Sequence, residues 1–528
     1  MDSAYTHETM NENLYAALRA GFPADLDATA IETCDTPAPL FHTWRDIERA
    51  SARIAKLLAS LELPEGARVA AHVDKSVECL LLYLAVLRAG YVYLPLNIAY
   101  QSAELEYFID NAEPSVVVCT PKNFVWLSKL AFQRGVKNVF TLGTQRDGGL
   151  LERAARHGDA HEIAPRRADD LAAILYTSGT TGRSKGAMLT HGNLLSNART
   201  LQTYWGWRSA DQGGDVLIHA LPIFHVHGLF VAAHGALLNG SKMLWFEKFD
   251  PRATIREMAR ATVFMGVPTL YVRMLAEPAL TRQAASPMRL FLAGSAPLLP
   301  ETFDAWRERT GHTIVERYGM SETVMLTSNP YLEHAHGDRE RRAGTVGRPL
   351  PGVQLRIHDD KGQPCRSGDI GGIEVTGPNV FKGYWRMPEK TAEEFTPDLW
   401  FKTGDVGKVD EHGVVTIVGR SKDLVISGGY NVYPAEVEGV LNEQPGVAES
   451  AVVGVPHPDF GEGVIAVVVP KPGAALDGEA LVAALKGRIA NFKVPKRVFI
   501  EPELPRNQMG KVQKNLLRDR HKALFAGG

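Results

Sequence analysis

The chain has 528 residues, enough for two or three domains with large buried cores. Hydrophobic residues make up 45% and charged residues 22%, an ordinary globular balance. The formal net charge of -2 excludes a general affinity for polyanions or acidic membranes, so any anion must be held at a local site.

Four cysteines, Cys34, Cys79, Cys119 and Cys365, lie far apart without a CxxC pair. That spacing argues against a disulfide framework or a zinc site and for free thiols in a reducing compartment. The first residues carry acids and no apolar core, unlike a signal or transit peptide. The longest apolar run, Leu80 to Leu87, is far short of the ~20 residues of a membrane span. A cytoplasmic protein is expected, with no nucleic-acid, membrane or obligate protein partner.

In chain order, Trp44–Leu61 has helical periodicity, Arg68–His72 reads as a strand and Ser76–Arg88 as a helix. Tyr91–Leu96 and Ser115–Thr120 read as strands, with a helix over Ser102–Asn111 between them. The alternation resumes with strands at Leu171–Tyr176, Asp215–Leu221, Thr262–Val267 and Leu290–Ala293. Such alternation predicts layered α/β structure with mostly parallel sheets. After Arg348 the segments Val353–Ile357, Gly372–Thr376 and Val414–Val418 are short, β-rich and punctuated by Gly and Pro, which predicts a small barrel-like piece. The last stretch reads as α+β, with strands at Glu449–Val453 and Val464–Val469 and a helix near Glu479–Ile489.

The strongest local signal is Tyr176-Thr-Ser-Gly-Thr-Thr-Gly-Arg-Ser-Lys-Gly186, fed by a strand and followed by a helix from about His191. Glycines let the backbone approach a ligand closely. Consecutive N–H groups can cradle phosphate oxygens. Thr177, Ser178, Thr180 and Thr181 add hydroxyls, Gly179 and Gly182 the turns, and Lys185 a charge. It is not GxxxxGK[ST], because Arg183 and Ser184 separate Gly182 from Lys185.

The stretch resembles the signature of the adenylate-forming superfamily, which includes acyl-CoA synthetases. Further segments resemble that family's other motifs in order: Leu221-Pro-Ile-Phe-His-Val-His-Gly228, Gly294-Ser-Ala-Pro297, Glu316-Arg-Tyr-Gly-Met-Ser-Glu-Thr323, Trp400-Phe-Lys-Thr-Gly-Asp405, Gly419 to Glu436, and Pro505 to Lys514. The resemblance runs from about Leu40 to Lys514. It implies a large N-terminal domain, 1–421, of layered α/β subdomains plus the small barrel-like one, and a smaller mobile α+β domain, 422–528.

By the same resemblance, Lys511 is the catalytic lysine, His225 lies beside the acyl site, and Glu322 with Thr177 holds Mg2+. Gly294, Ser295, Ala296, Glu316, Arg317, Tyr318, Gly319 and Ser321 wall the ATP/AMP site, with Tyr318 stacking on the purine. Asp405 and Arg420 serve the ribose. Lys422 is the hinge, and Gly428 with Gly429 forms the loop for the thioester step. ATP and coenzyme A are the implied cosubstrates.

For the acid, the candidate pocket includes His225, Val226, Ser295 and Met325, with Arg273 and Arg289 nearby. An arginine would suit a dicarboxylate, because a buried second carboxylate must be neutralised. Either arginine can equally belong to a structural ion pair. The stretches IHALPIFHVHGLF, MGVPTLY, ERYGMSET and GPNVFKGYWRMPEKT resemble malonyl-CoA synthetases, which implies malonate, with methylmalonate as a weaker substrate. Alternatives are a short-chain fatty or aryl acid–CoA ligase and a free-standing adenylation domain that loads a carrier protein.

Overall fold

The computed structural model describes residues 11–36, 38–177, 184–331, 341–359, 361–428, 430–486, 488–507 and 510–525. Two large sheets enclose a shared helical layer. One sheet has nine strands, six of them a parallel run that contains Val216–His219, Lys242–Trp245, Val263–Gly266, Leu290–Ala293 and Val315–Tyr318. The other has six strands, in the order Asn138–Thr141, Val116–Cys119, Arg68–His72, Val92–Pro95, Leu171–Thr177 and Lys185–Thr190. All its pairs are parallel except the last.

The helix Val77–Arg88 explains how the sheets are held. All 12 of its residues are buried, so its apolar residues run all round rather than along one stripe. Ser76 caps it by accepting from the Cys79 N–H. Its Tyr83 hydroxyl lies 2.7 Å from His234 Nε2, on the equally buried helix His234–Leu238. One hydrophobic cluster joins these helices to strands of both sheets. Each fully buried leucine in it contributes roughly 1.5–3 kcal/mol.

The small β piece after Arg348 is a four-stranded antiparallel meander: Gln354–His358, Gly371–Thr376, Phe401–Val409 and Val415–Arg420. Among the described residues its first and last strands do not pair, so it is an open sheet rather than a closed barrel. The C-terminal α+β unit is built on the long hairpin Val447–His457 and Gly461–Pro470, extended by Val425–Ser427, Tyr430–Val432 and Arg497–Ile500. Helices Pro434–Asn442 and Gly478–Leu485 cover one face, and Lys514–His521 packs Leu517 on the other. Among the described residues, no helix is long and apolar enough to cross a membrane.

Candidate active site

The site lies where the parallel strands of the nine-stranded sheet end, the usual crevice of an open α/β sheet. His225, Val226 and His227 follow the strand Val216–His219. Gly294, Ser295 and Ala296 follow Leu290–Ala293, and Gly319, Ser321 and Glu322 follow Val315–Tyr318. The turns are tight. A Cβ on Gly319 would lie 1.9 Å from the Val324 carbonyl oxygen, and one on Gly294 would lie 2.4 Å from Arg317 Nη1. Ser295 and Val324 both have positive φ, 71° and 57°. That is costly for a β-branched residue.

Asp405 and Arg420 oppose each other across neighbouring strands, with Arg420 Nε 2.9 Å from Asp405 Oδ1. Tyr318 donates its hydroxyl to the other oxygen at 2.5 Å. Its ring is thereby held against the carboxylate, a hydrogen-bonding role the motif alone did not announce. Glu322 is buried and accepts from the Tyr384 hydroxyl at 3.0 Å; burial pushes its carboxyl pKa up. Lys185 lies 3.1 Å from Glu394 and 4.2 Å from the centre of the Tyr384 ring. Thr177 donates weakly to the Lys185 carbonyl at 3.4 Å. Ser178, Gly179, Thr180, Thr181, Gly182 and Gly429 lie outside the described residues.

Lys511 comes from the other domain. Its loop is a small turn in which Asn507 and Lys511 exchange hydrogen bonds of 3.0 and 2.9 Å. Gly510 approaches Thr269 closely. Lys511 keeps access to solvent, yet protein surrounds it on most sides, and that desolvation pushes its pKa down. Arg420, Asp405, Glu322 and Lys422 all act on it electrostatically. Desolvation, with Lys511 and Arg317 nearby, pushes His225 down to about 3, so it stands as a neutral imidazole.

The acid end holds the largest departure from expectation. Arg289 does not reach it. It precedes its strand and so sits at the opposite, amino end of the sheet, where it grips the buried Asp215 with bonds of 2.7 and 2.5 Å. Arg273 is exposed on the helix Pro268–Leu275 and stacks over Phe249 at 4.9 Å. Both charges are satisfied or solvated, so neither supplies the pocket.

Arg317, expected only as part of the nucleotide wall, is a buried cation instead. It is 2% exposed, and among the described residues its Nε and Nη2 have no hydrogen-bond partner. Desolvation pushes its pKa down to about 9. It depresses the pKa of both His225 and His227. His227 Nδ1 lies 3.4 Å from Ser295 Oγ. Adjacent Glu316 does not pair with it, because neighbours on a strand point to opposite faces. Glu316 instead accepts from the Leu298 N–H at 3.2 Å.

Val226 and Met325 are buried wall residues. Asn197 and Asn379 hold the Met325 carbonyl at 2.9 and 3.0 Å, and Asn379 also takes the Thr323 carbonyl at 2.7 Å. These asparagines, with Tyr384 and Glu394, were missed in the sequence because they lie far from the segments they position. Lys422 occupies the turn Ser421–Asp423 between the meander and the C-terminal unit. Gly428, with φ of 60°, turns the hairpin beyond it.

Residues 26–385 match the family described as AMP-binding enzyme, and residues 436–511 match AMP-binding enzyme C-terminal domain. The chain is 52% identical to MatB from Rhodopseudomonas palustris, over 98% of this chain and 100% of that one. The TM-score is 0.93 with the ATP-bound structure of that protein and 0.83 with its apo structure. A malonate–CoA ligase of Arabidopsis thaliana is 36% identical over 86% of this chain and 78% of its own. A feruloyl-CoA synthase of Amycolatopsis is also 36% identical, over 90% and 94%.

Proposed function

The chain belongs to the AMP-binding enzyme family, and on that premise we propose that it is an acid–CoA ligase that converts malonate to malonyl-CoA through malonyl-AMP. Kinship supports malonate, through the 52% identity to MatB and the malonate–CoA ligase relative, while a relative at 36% identity carries a feruloyl name. The structural observation behind the choice is Arg317, a buried guanidinium beside His227 and Gly294 whose Nε and Nη2 have no hydrogen-bond partner among the described residues. An uncompensated buried charge is expensive unless a ligand completes it. The free carboxylate of malonate does so, whereas an aliphatic or aryl acid leaves it stranded.

The reaction needs alignment and neutralisation more than a nucleophilic side chain. One carboxylate oxygen of the acid attacks the α-phosphorus of ATP, and pyrophosphate leaves. Asp405 and Arg420 hold the ribose. Lys185 exchanges Glu394 for phosphate oxygens. Lys511 bridges the reacting carboxylate and the α-phosphate. Glu322, with Thr177, would hold Mg2+, and the ion would neutralise phosphate charge. Among the described residues no cluster of three His, Cys, Asp or Glu forms a separate cage, which fits a metal carried by the nucleotide.

The thiol of coenzyme A then attacks the carbonyl of malonyl-AMP, and AMP leaves. For this step the C-terminal domain, residues 422–528, rotates about Lys422 away from residues 1–421. Lys511 is withdrawn and the Gly428–Gly429 loop takes its place. The position of Lys511 in the cleft and the closer fit to the ATP-bound relative support an adenylate-forming arrangement here. A cytoplasmic location, where ATP and coenzyme A are both present, fits this reading. The test is pyrophosphate release with malonate, methylmalonate, acetate, butyrate and benzoate, with and without coenzyme A. Release dependent on malonate is expected. Turnover of butyrate or benzoate with none for malonate would refute the assignment.

A further inference from the structure

Lys75 belongs to none of the segments that make the site, yet its ammonium group is among the most crowded in the molecule. It lies between the strand Arg68–His72 and the helix Val77–Arg88, at the carboxyl end of the six-stranded sheet. Nζ donates to the carbonyl oxygens of His219 and Phe246, at 2.9 and 2.6 Å. It also lies 3.0 Å from His219 Nδ1 and 4.3 Å from the centre of the Trp245 ring. Three acceptors use all three ammonium hydrogens. The two carbonyls end neighbouring parallel strands of the other sheet, so Lys75 ties the sheets together where the crevice opens.

His219 passes the constraint on. Its ring stacks on Trp245 at 4.6 Å. With Nδ1 accepting from Lys75, the hydrogen resides on Nε2, which donates to the Gly228 carbonyl at 2.9 Å. Gly228 closes a turn with no slack: a Cβ there would lie 2.0 Å from the Pro222 carbonyl oxygen. That turn carries His225, Val226 and His227. Its Ile223 and Phe224 line a small cavity together with Lys75.

We infer that Lys75 is a positioning residue for the acid pocket, acting through His219 and the Gly228 carbonyl to set the turn that bears His225 and His227. This rests on the malonate ligase reading above. Asp35 and Glu247 act on Lys75 only at range, and burial pushes its pKa well down. An ammonium without a touching carboxylate costs more than an apolar side chain filling the same space. The hydrogen-bond relay to the turn is what the lysine adds.

The experiment compares Lys75→Met, His219→Phe and the double variant with wild type, each active fraction counted by its pyrophosphate burst. Lys75→Met keeps the stem and removes the donor. His219→Phe keeps the ring stack and removes both side-chain links of the relay, to Lys75 Nζ and to the Gly228 carbonyl, while the lysine keeps its two carbonyl acceptors, so it serves even where the lysine variant does not fold. KM for malonate is expected to rise about tenfold in each single variant, with KM for ATP unchanged within about twofold. The double variant should lose no more than the worse single one, because both interrupt one relay. A lowered melting temperature with unchanged KM for malonate, or additive losses, overturns the inference. Wild type inactive on malonate refutes the substrate reading instead; the same three variants are then measured on the acid that the substrate panel selects, where an unchanged KM overturns the relay.

Discussion

Arg317 and Gly294 occupy one space: the guanidinium passes where any side chain at position 294 would stand, with Nη1 2.4 Å from the missing Cβ. The glycine after the strand Leu290–Ala293 is therefore required by a residue of the neighbouring strand. It lets a cation lie near His227, buried and, among the described residues, without a hydrogen-bond partner for its Nε and Nη2. That contact is what the proposed binding of a dianion rests on.

Arg317→Met tests it directly. The variant removes an uncompensated buried charge and strands no protein partner, so the melting temperature should hold or rise. Loss of charge-assisted hydrogen bonds to the distal carboxylate should cost about 2–4 kcal/mol, roughly 30- to 700-fold in kcat/KM for malonate. Steady-state kinetics and thermal melts on one preparation check both. A fall in stability that accounts for the activity loss would count against the assignment.

Arg289→Ala should behave in the opposite way. It leaves Asp215 buried and unpaired, which costs about 3–5 kcal/mol of stability. KM for malonate in the folded fraction should not change. A raised KM at an unchanged melting temperature would return Arg289 to the pocket.

Glu316 makes stability depend on pH. Burial pushes its carboxyl up to about 8, above the ordinary 4.5. Below the ordinary value both folded and unfolded chains hold the proton. Between the two values only the folded chain does, so stability is lost as pH rises, until it levels off above the folded pKa. Glu316→Gln lacks this titration. Melts across that window should show the variant gaining on wild type as pH increases; a gap independent of pH would exclude a buried neutral Glu316.

Lys511→Ala should abolish adenylate formation, read as malonate-dependent exchange of pyrophosphate into ATP, by at least about 100-fold. Thioester formation from supplied malonyl-AMP should stay within a few-fold. Equal loss in both half-reactions would remove the lysine from its assigned step.

Met325→Ala should widen tolerance at the α-carbon. A methyl-sized change in an apolar pocket is worth roughly 1–3 kcal/mol, so the ratio of kcat/KM for methylmalonate to that for malonate should rise at least about fivefold. An unchanged ratio would place the substituent elsewhere.

Much of the fold is readable in the chain because its signals are local. The strands Arg68–His72 and Leu290–Ala293 lie where the apolar pattern puts them, and Ser76 caps its helix as a serine before an apolar run should. The edge strand Lys185–Thr190 was missed: Lys-Gly-Ala-Met-Leu-Thr has no aromatic and little β-branching, and its pairing with Leu171–Thr177 is a tertiary fact. Position relative to a strand was also a usable signal. Arg289 comes before its strand, hence at the end away from the crevice.

The sequence by itself determined which segments are expected to serve phosphate, ribose and the catalytic lysine, because glycine turns after strands and a short ordered set of polar residues are local signals. Tertiary structure alone decided the acid end. Whether an arginine is neutralised depends on partners such as Asp215, 74 residues away from Arg289, while among the described residues Arg317 Nε and Nη2 have none. Charge compensation acts through space, and spacing along the chain does not encode it.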